Sequence, residues 1–401
     1  MSQCLRYKFL FAVMLLVGCG RNESTMIPLS ESWDMGSIPV VSNETGPVYD
    51  EPLFTLECDL VLGVDQVGPE WQMFGAPPYP LVGPDNSLYL TDYERMEIFY
   101  VSPSGSLLDR VGGRGAGPGE FEAFGDVIWA EFGVEFWVLD SRLQRVTRFS
   151  ADAELLGTFR FSPQYNRGEG SWSFYDSSGT RKYLATGFPN QRSDDTKPII
   201  VFGLLNEDLS LDKILTIAEG IPRIPTEFGM RVPVPFRYRP FCLFSMEDRI
   251  LYADGNIGML MVLSSDGEPL YRILPAHEVL PVTRHDKKAW KERIGGLVPD
   301  EVLESKTIPE HHPLFASAII DDKNRIWLRR SRSRLHSSDE VLPDIKIDLF
   351  SIQGRWLGTE ELSFFPYIVQ GPYMYQVLSG VDDIPQLMRH RINWLKDLDG
   401  K

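Results

Sequence analysis

Five arginines and no acid fall within Arg325–His336 (RIWLRRSRSRLH), in a 401-residue chain with 56 Asp and Glu against 40 Lys and Arg and a formal net charge of −16. Arg330, Arg332 and Arg334 alternate along the chain, so a strand that continues through them carries all three guanidinium groups on one side. Grouped guanidiniums grip carboxylate, phosphate or sulfate through bidentate hydrogen bonds, which makes these three the candidate ligand-binding residues. The competing reading pairs them with nearby acids such as Asp339 and Glu340. Asp92, Asp140 and Asp254 form a second constellation, each ending an apolar run of the same kind. Three carboxylates converging on one axis can hold Ca²⁺ through oxygen ligands. An aspartate at a strand end otherwise accepts backbone N–H groups of the following turn. No other cofactor is indicated, and no catalytic residue is assigned.

Spacing argues against several further chemistries. Gly112–Gly119 lacks the Lys-Ser/Thr of a phosphate loop, fails G-x-G-x-x-G and leads into a strand. His311 and His312 have no partner at ligand spacing, and Arg284-His285-Asp286 is contiguous, whereas catalytic triads are assembled in space. No serine stands in a G-x-S-x-G elbow. Cys58 and Cys242 are expected on an outer closing strand and an inner strand, too far apart to bond, hence two buried thiols. The acidic balance argues against a nucleic-acid partner.

The N-terminus supplies an address. Arg6 and Lys8 precede Phe9–Val17, nine apolar residues that rise only about 14 Å as a helix, against roughly 30 Å for a membrane span. Residues 1–18 therefore read as a signal peptide. Leu16-Val17-Gly18-Cys19 matches the bacterial lipobox and marks Cys19 as the lipidation site. Cleavage removes Arg6 and Lys8 but no acid, taking the charge from −16 to −18. Residues 19–51, rich in Ser, Thr, Asn and Pro, read as an extended tether. The expected location is the cell envelope, with Gly20 after the cysteine favouring the outer membrane of a diderm.

What must position these residues is a repeat. Leu81–Val111, Asp126–Phe159, Trp172–Leu215, Phe241–Leu274 and two segments after Phe315 and Ile345 each alternate apolar runs with Gly, Asn or Asp turns, the pattern of antiparallel hairpins. Tyr89, Trp137, Tyr183 and Trp327 anchor the second strands, with steps of 48 and 46 residues between the first three. Four strands per unit at that period describe β-propeller blades. A sixth unit from Tyr367 offers three strands, and Leu53–Leu62 is the strand that completes it. The expected fold is all-β: a six-bladed propeller over residues 52–395, closed by an N-terminal strand, with a short helical insertion at Asp286–Ile294.

Parity assigns the connections to two faces. Turns joining first to second strands and third to fourth strands are short, as in Pro84-Asp85-Asn86, Ser177-Ser178-Gly179 and Ser265-Asp266-Gly267. Every long connection (112–120, 162–171, 188–197, 218–239, 275–313 and 331–344) falls on the opposite face, where binding is expected.

Arg110–Phe121, RVGGRGAGPGEF, followed by FWVLDSRLQRVTRFSADAELL, resembles the bacterial six-bladed propeller lipoproteins related to NHL-repeat proteins. In that family a GPGEF turn joins two early blades and the second strand carries a W-V-x-D phrase. The resemblance implies fold and export. The reading it favours is a lipid-anchored, non-enzymatic binding or scaffold module for an envelope protein, peptide or glycan. The alternative is a metal-dependent hydrolase or lyase using the central pore.

Overall fold

The hydrophobic runs are too continuous for sheets with one wet face. Leu88–Asp92, Glu135–Asp140 and Ile250–Asp254 are buried along their whole length. A sheet buried on both sides needs a neighbour on each, which radial packing of blades provides. The computed structural model describes residues 35–63, 69–161, 170–177, 182–189, 198–226, 228–276, 278–332, 344–379 and 384–398. Cys19, Arg334, the Ser178-Gly179 turn and most of the connections at 162–171, 188–197 and 331–344 lie outside them.

The chain enters through β1 (Val40–Ser42) and β2 (Phe54–Leu62). Blade one is β3 (Tyr79–Val82), β4 (Leu88–Asp92), β5 (Glu97–Val101) and β6 (Leu107–Gly112); blade two is β7 (Phe124–Glu131), β8 (Glu135–Asp140), β9 (Arg145–Ser150) and β10 (Leu155–Arg160). Blade three is β11 (Gly170–Ser177), β12 (Tyr183–Pro189), β13 (Ile199–Leu205) and β14 (Leu211–Glu219). A small hairpin, β15 (Arg223–Pro225) and β16 (Arg231–Pro233), precedes blade four, β17 (Phe241–Phe244), β18 (Ile250–Asp254), β19 (Met259–Leu263) and β20 (Pro269–Leu274). Two helices, α1 (Arg284–Arg293) and α2 (Asp300–Leu303), follow. Blade five is β21 (Phe315–Ile320), β22 (Ile326–Arg330), β23 (Ile345–Phe350) and β24 (Trp356–Leu362). Blade six is β25 (Ile368–Gln370), β26 (Tyr373–Ser379) and β27 (Pro385–Trp394), completed on its outer edge by β2.

Successive first strands touch one another, so they form the inner wall of the ring. Between each pair of neighbouring blades lies one apolar cluster, and the sixth, with Leu62, Leu387 and Tyr375 against Val82, Leu90 and Phe99, joins blade six to blade one. Every second strand contributes a large buried aromatic: Tyr89, Trp137 (beside Phe136), Tyr183, Tyr252, Trp327 and Tyr375. The sequence reading named four of these; Tyr252 and Tyr375 complete the set. Closure is reinforced by Arg389 of β27, whose Nε donates to Asp59 Oδ1 of β2 at 2.9 Å while another guanidinium nitrogen donates to the Pro103 carbonyl of blade one at 2.7 Å.

The tight turns share one construction. Ser102, Ser264 and Ser351 each cap the N–H four residues on with a side-chain oxygen, and Gly105, Gly267 and Gly354 adopt φ of 86°, 79° and 90°. Those angles lie in the left-handed region that glycine enters without cost.

Two expectations change. The tether stops short of residue 51, because β1 pairs in parallel with β20 as a fifth strand of blade four. The chain then crosses blade five: Asn43 donates to Gly354 O at 3.1 Å and accepts from Trp356 N at 2.9 Å. Polar residues such as Asn43 and Asn-Gly-Pro spacing look like linker, but here they hydrogen-bond a sheet edge. Second, Cys58 is exposed and only Cys242 is buried, since alternate residues of an outermost strand face solvent. The long insertions also meet. Ile224 and Val234 of the hairpin region pack with Trp290, Val298, Leu303 and Ile308 in a separate small core, and α1 starts at a Thr283–Asp286 capping box.

Candidate functional site

The aspartates ending second strands act as staples. Asp140 Oδ1 accepts from the N–H groups of Arg142 (3.0 Å) and Leu143 (2.9 Å), and Oδ2 from Glu122 N (2.8 Å), which lies just before the inner strand. Asp92 repeats this with Glu94, Arg95 and Gly75 at 2.9, 3.1 and 2.8 Å. In blade four Asp254 accepts from Asn256 N at 3.0 Å and Nδ2 at 2.9 Å, and Asn256 in turn bonds both N and O of Tyr238. Burial raises the Asp254 carboxyl, opposed by the Asn256 donors. The carboxylates face their own turns and do not converge. Among the described residues no group of three or more His, Cys, Asp or Glu is placed to hold a metal ion.

The arginine cluster is also committed. Arg330 Nε and one terminal nitrogen each lie 2.7 Å from Asp348, whose carboxylate is fully buried and accepts Thr359 Oγ1 at 2.6 Å. The guanidinium sits 5.7 Å from the Trp356 ring, along the blade toward its outer strands. Asp348 is its partner because strands β22 and β23 lie side by side; Asp339 and Glu340 lie outside the described residues. Arg332 is half-buried and has partners as well.

A different group comes together where the inner wall meets the long-loop face. Tyr79 opens β3, Tyr367 directly precedes β25, Asp126 lies near the start of β7, and Tyr93 follows β4. These belong to blades six, one and two. The Tyr79 ring stands 5.5 Å from Tyr93, edge to face at 88°, and 5.3 Å from Tyr367 at 52°. Phe124 backs Tyr93 at 5.8 Å. The Tyr93 hydroxyl donates to Gly125 O at 3.1 Å, which fixes it beside Asp126. Tyr79 and Tyr367 remain 39% and 43% exposed, so both rings keep surface open to solvent.

Asp126 has no hydrogen-bond or ion-pair partner among the described residues, and burial alone pushes its carboxyl up to about 6. An acid losing water without gaining donors favours its neutral form. The Tyr367 phenol is pushed up to about 12 by burial and then by Tyr79 and Asp126, and Tyr93 is raised by burial and then by Asp126. Both phenols therefore stay neutral donors at ordinary pH. This site is absent from the sequence reading, although a signal existed. Pro78-Tyr79 and Pro366-Tyr367 open two inner strands with the same dipeptide, and proline limits the backbone freedom of each entry.

No protein-family model and no curated protein matches the sequence. Among solved structures, a member of the duf4221 family from Bacteroides vulgatus is similar, with 10% identity, 85% of this chain and 98% of that chain covered, and a TM-score of 0.51. A catalytically inactive virginiamycin B lyase from Staphylococcus aureus shares 10% identity over 84% of this chain and 99% of its own, at a TM-score of 0.39. A luciferin-regenerating enzyme shares 10% identity over 84% and 95%, at 0.41. At these levels the likeness shows the six-bladed propeller fold alone. It does correct the expectation of a non-enzyme: proteins named as lyase and as regenerating enzyme have this kind of fold, so the architecture gives no ground for setting catalysis aside.

Proposed function

We propose that this chain is an exported, lipid-anchored propeller that acts as an acid–base enzyme of the hydrolase or lyase class at the loop-face mouth of its ring. One observation carries the reading: Asp126, a carboxyl pushed up to about 6 without a partner among the described residues, lies within electrostatic reach of two neutral tyrosines, Tyr93 after β4 and Tyr367 at the entry of β25. A base works best when its pKa lies near the working pH. Asp126 takes the proton, Tyr367 donates a hydrogen bond to oxygen that gains charge, and Tyr93 holds the floor through Gly125. The lipobox at Cys19 supports an envelope address, with a peptide or glycan of that compartment as substrate. Met35 and Ile38 pack against the cluster between blades three and four, so the span from Cys19 keeps the ring within about 55 Å of the membrane.

The test uses the full chain extracted from membranes and a panel of chromogenic peptides, esters and glycosides. Turnover is expected, with kcat/KM rising through pH about 6 and kcat falling at least about 100-fold in Asp126→Asn. No turnover, or equal turnover by the variant, overturns the enzyme reading. Loss of membrane association in Cys19→Ser checks the anchor.

A further inference from the structure

The chemistry around Asp126 has one electrostatic sign. Its carboxylate is not lowered by any cation among the described residues, and it lies within electrostatic reach of Tyr93 and Tyr367. Tyr79 and Tyr367 form an exposed ring pair, with Tyr367 within reach of Asp126, and aromatic rings carry the negative side of their quadrupole on their faces. An anion would meet a carboxylate and π-clouds. A neutral sugar would meet hydroxyl donors but would leave the carboxylate as unfavourably buried as before. A positive group satisfies both surfaces together: it restores Asp126 to its ionised form and lies against the rings.

We propose that the mouth of the ring recognises an organic cation, a primary amine or alkylammonium group carried by the substrate, held between the Asp126 carboxylate and the exposed faces of Tyr79 and Tyr367. This deepens the enzyme reading above and rests on the same site. In it Asp126 is a binding group as well as a base, and Tyr79 and Tyr367 are the walls. The arginines of β22 lie outside it, since Arg330 is bound to Asp348.

Choline and its neutral isostere 3,3-dimethyl-1-butanol are the probes, titrated into the full chain and followed by NMR. Choline is expected to saturate the site and to bind at least about tenfold more tightly than the alcohol. Asp126→Asn is expected to erase that preference. Tyr367→Ala should weaken choline several-fold, whereas Tyr367→Phe, which keeps the ring face, should retain it. Tyr367 is exposed, and unchanged thermal midpoints show that its variants remain folded. Equal binding of the two probes, no choline binding, or choline affinity unchanged in a folded Asp126→Asn protein overturns the proposal. Asp126-dependent turnover of neutral substrates without choline binding removes this inference and leaves the enzyme reading. Choline binding in a protein that turns nothing over does the reverse.

Discussion

Blade two holds two aspartates near the same face of the ring, on adjacent strands, in opposite chemical situations. Asp140, at the end of β8, is fully buried and accepts three backbone N–H groups. Asp126, near the start of β7, is only half-buried and has no such donor among the described residues. Burial alone therefore does not mark a site. What separates the two is whether the fold provides donors, and the staple position provides them in blades one and two alike while the mouth does not. One region uses its charge to hold the polypeptide in place, and the other leaves its charge available to something outside the polypeptide.

Removing each charge should expose that difference. The largest effect is expected for Asp140→Ala, which leaves three N–H groups unsatisfied in a closed region and should cost about 4 kcal/mol in urea unfolding. A cost under about 1 kcal/mol would erase the distinction. Next is Arg330→Ala. It strands the buried Asp348 and should destabilise by about 3 kcal/mol while leaving choline affinity unchanged, confirming a structural role for the arginine. The smallest change has the opposite sign. Asp126→Asn should stabilise the protein by about 2 kcal/mol at pH 8, allowing for partial exposure. Its folded pKa of about 6 exceeds the ordinary 3.8, so the folded state holds its proton more tightly. Stability from this group is complete below pH about 4 and is lost as pH rises through about 6. The variant's advantage should therefore vanish in acid, and an advantage independent of pH would show that burial is not the cause.

Much of the architecture was legible because it repeats. Aromatic anchors, turn residues and the parity of long connections each recur in several blades, so errors in one are corrected by the next. Leu53–Leu62 was recognisable as the closing strand because blade six lacked a fourth. The helix at α1 was legible from Ala289, Trp290 and Ile294 and from the Gly295-Gly296 stop, but its partner in the β15–β16 hairpin was not, since two irregular insertions share no pattern. The partners of the candidate site residues were hidden for the same reason. Five arginines within Arg325–His336 stand out in composition, yet strand neighbours decide their use, and Asp348 lies 18 positions from Arg330. Asp126, Tyr79, Tyr93 and Tyr367 are single residues in three blades. Only ring closure makes them neighbours.

That closure also orders events in time. The outer edge of blade six pairs Phe54 with Trp394, so one of the earliest segments of the chain has to wait for one of the last. Loop closure over such a separation is slow compared with forming a hairpin. A polypeptide interrupted between Leu362 and Pro385 can complete blades one to five yet still presents β2 as an unpaired edge, a surface prone to association and proteolysis. Tyr79 and Tyr367 lie on the two sides of the same seam, so the mouth exists only in finished molecules. If the proposed activity holds, it reports completion of synthesis: a chain stopped within blade six has five sound blades and an unfinished mouth.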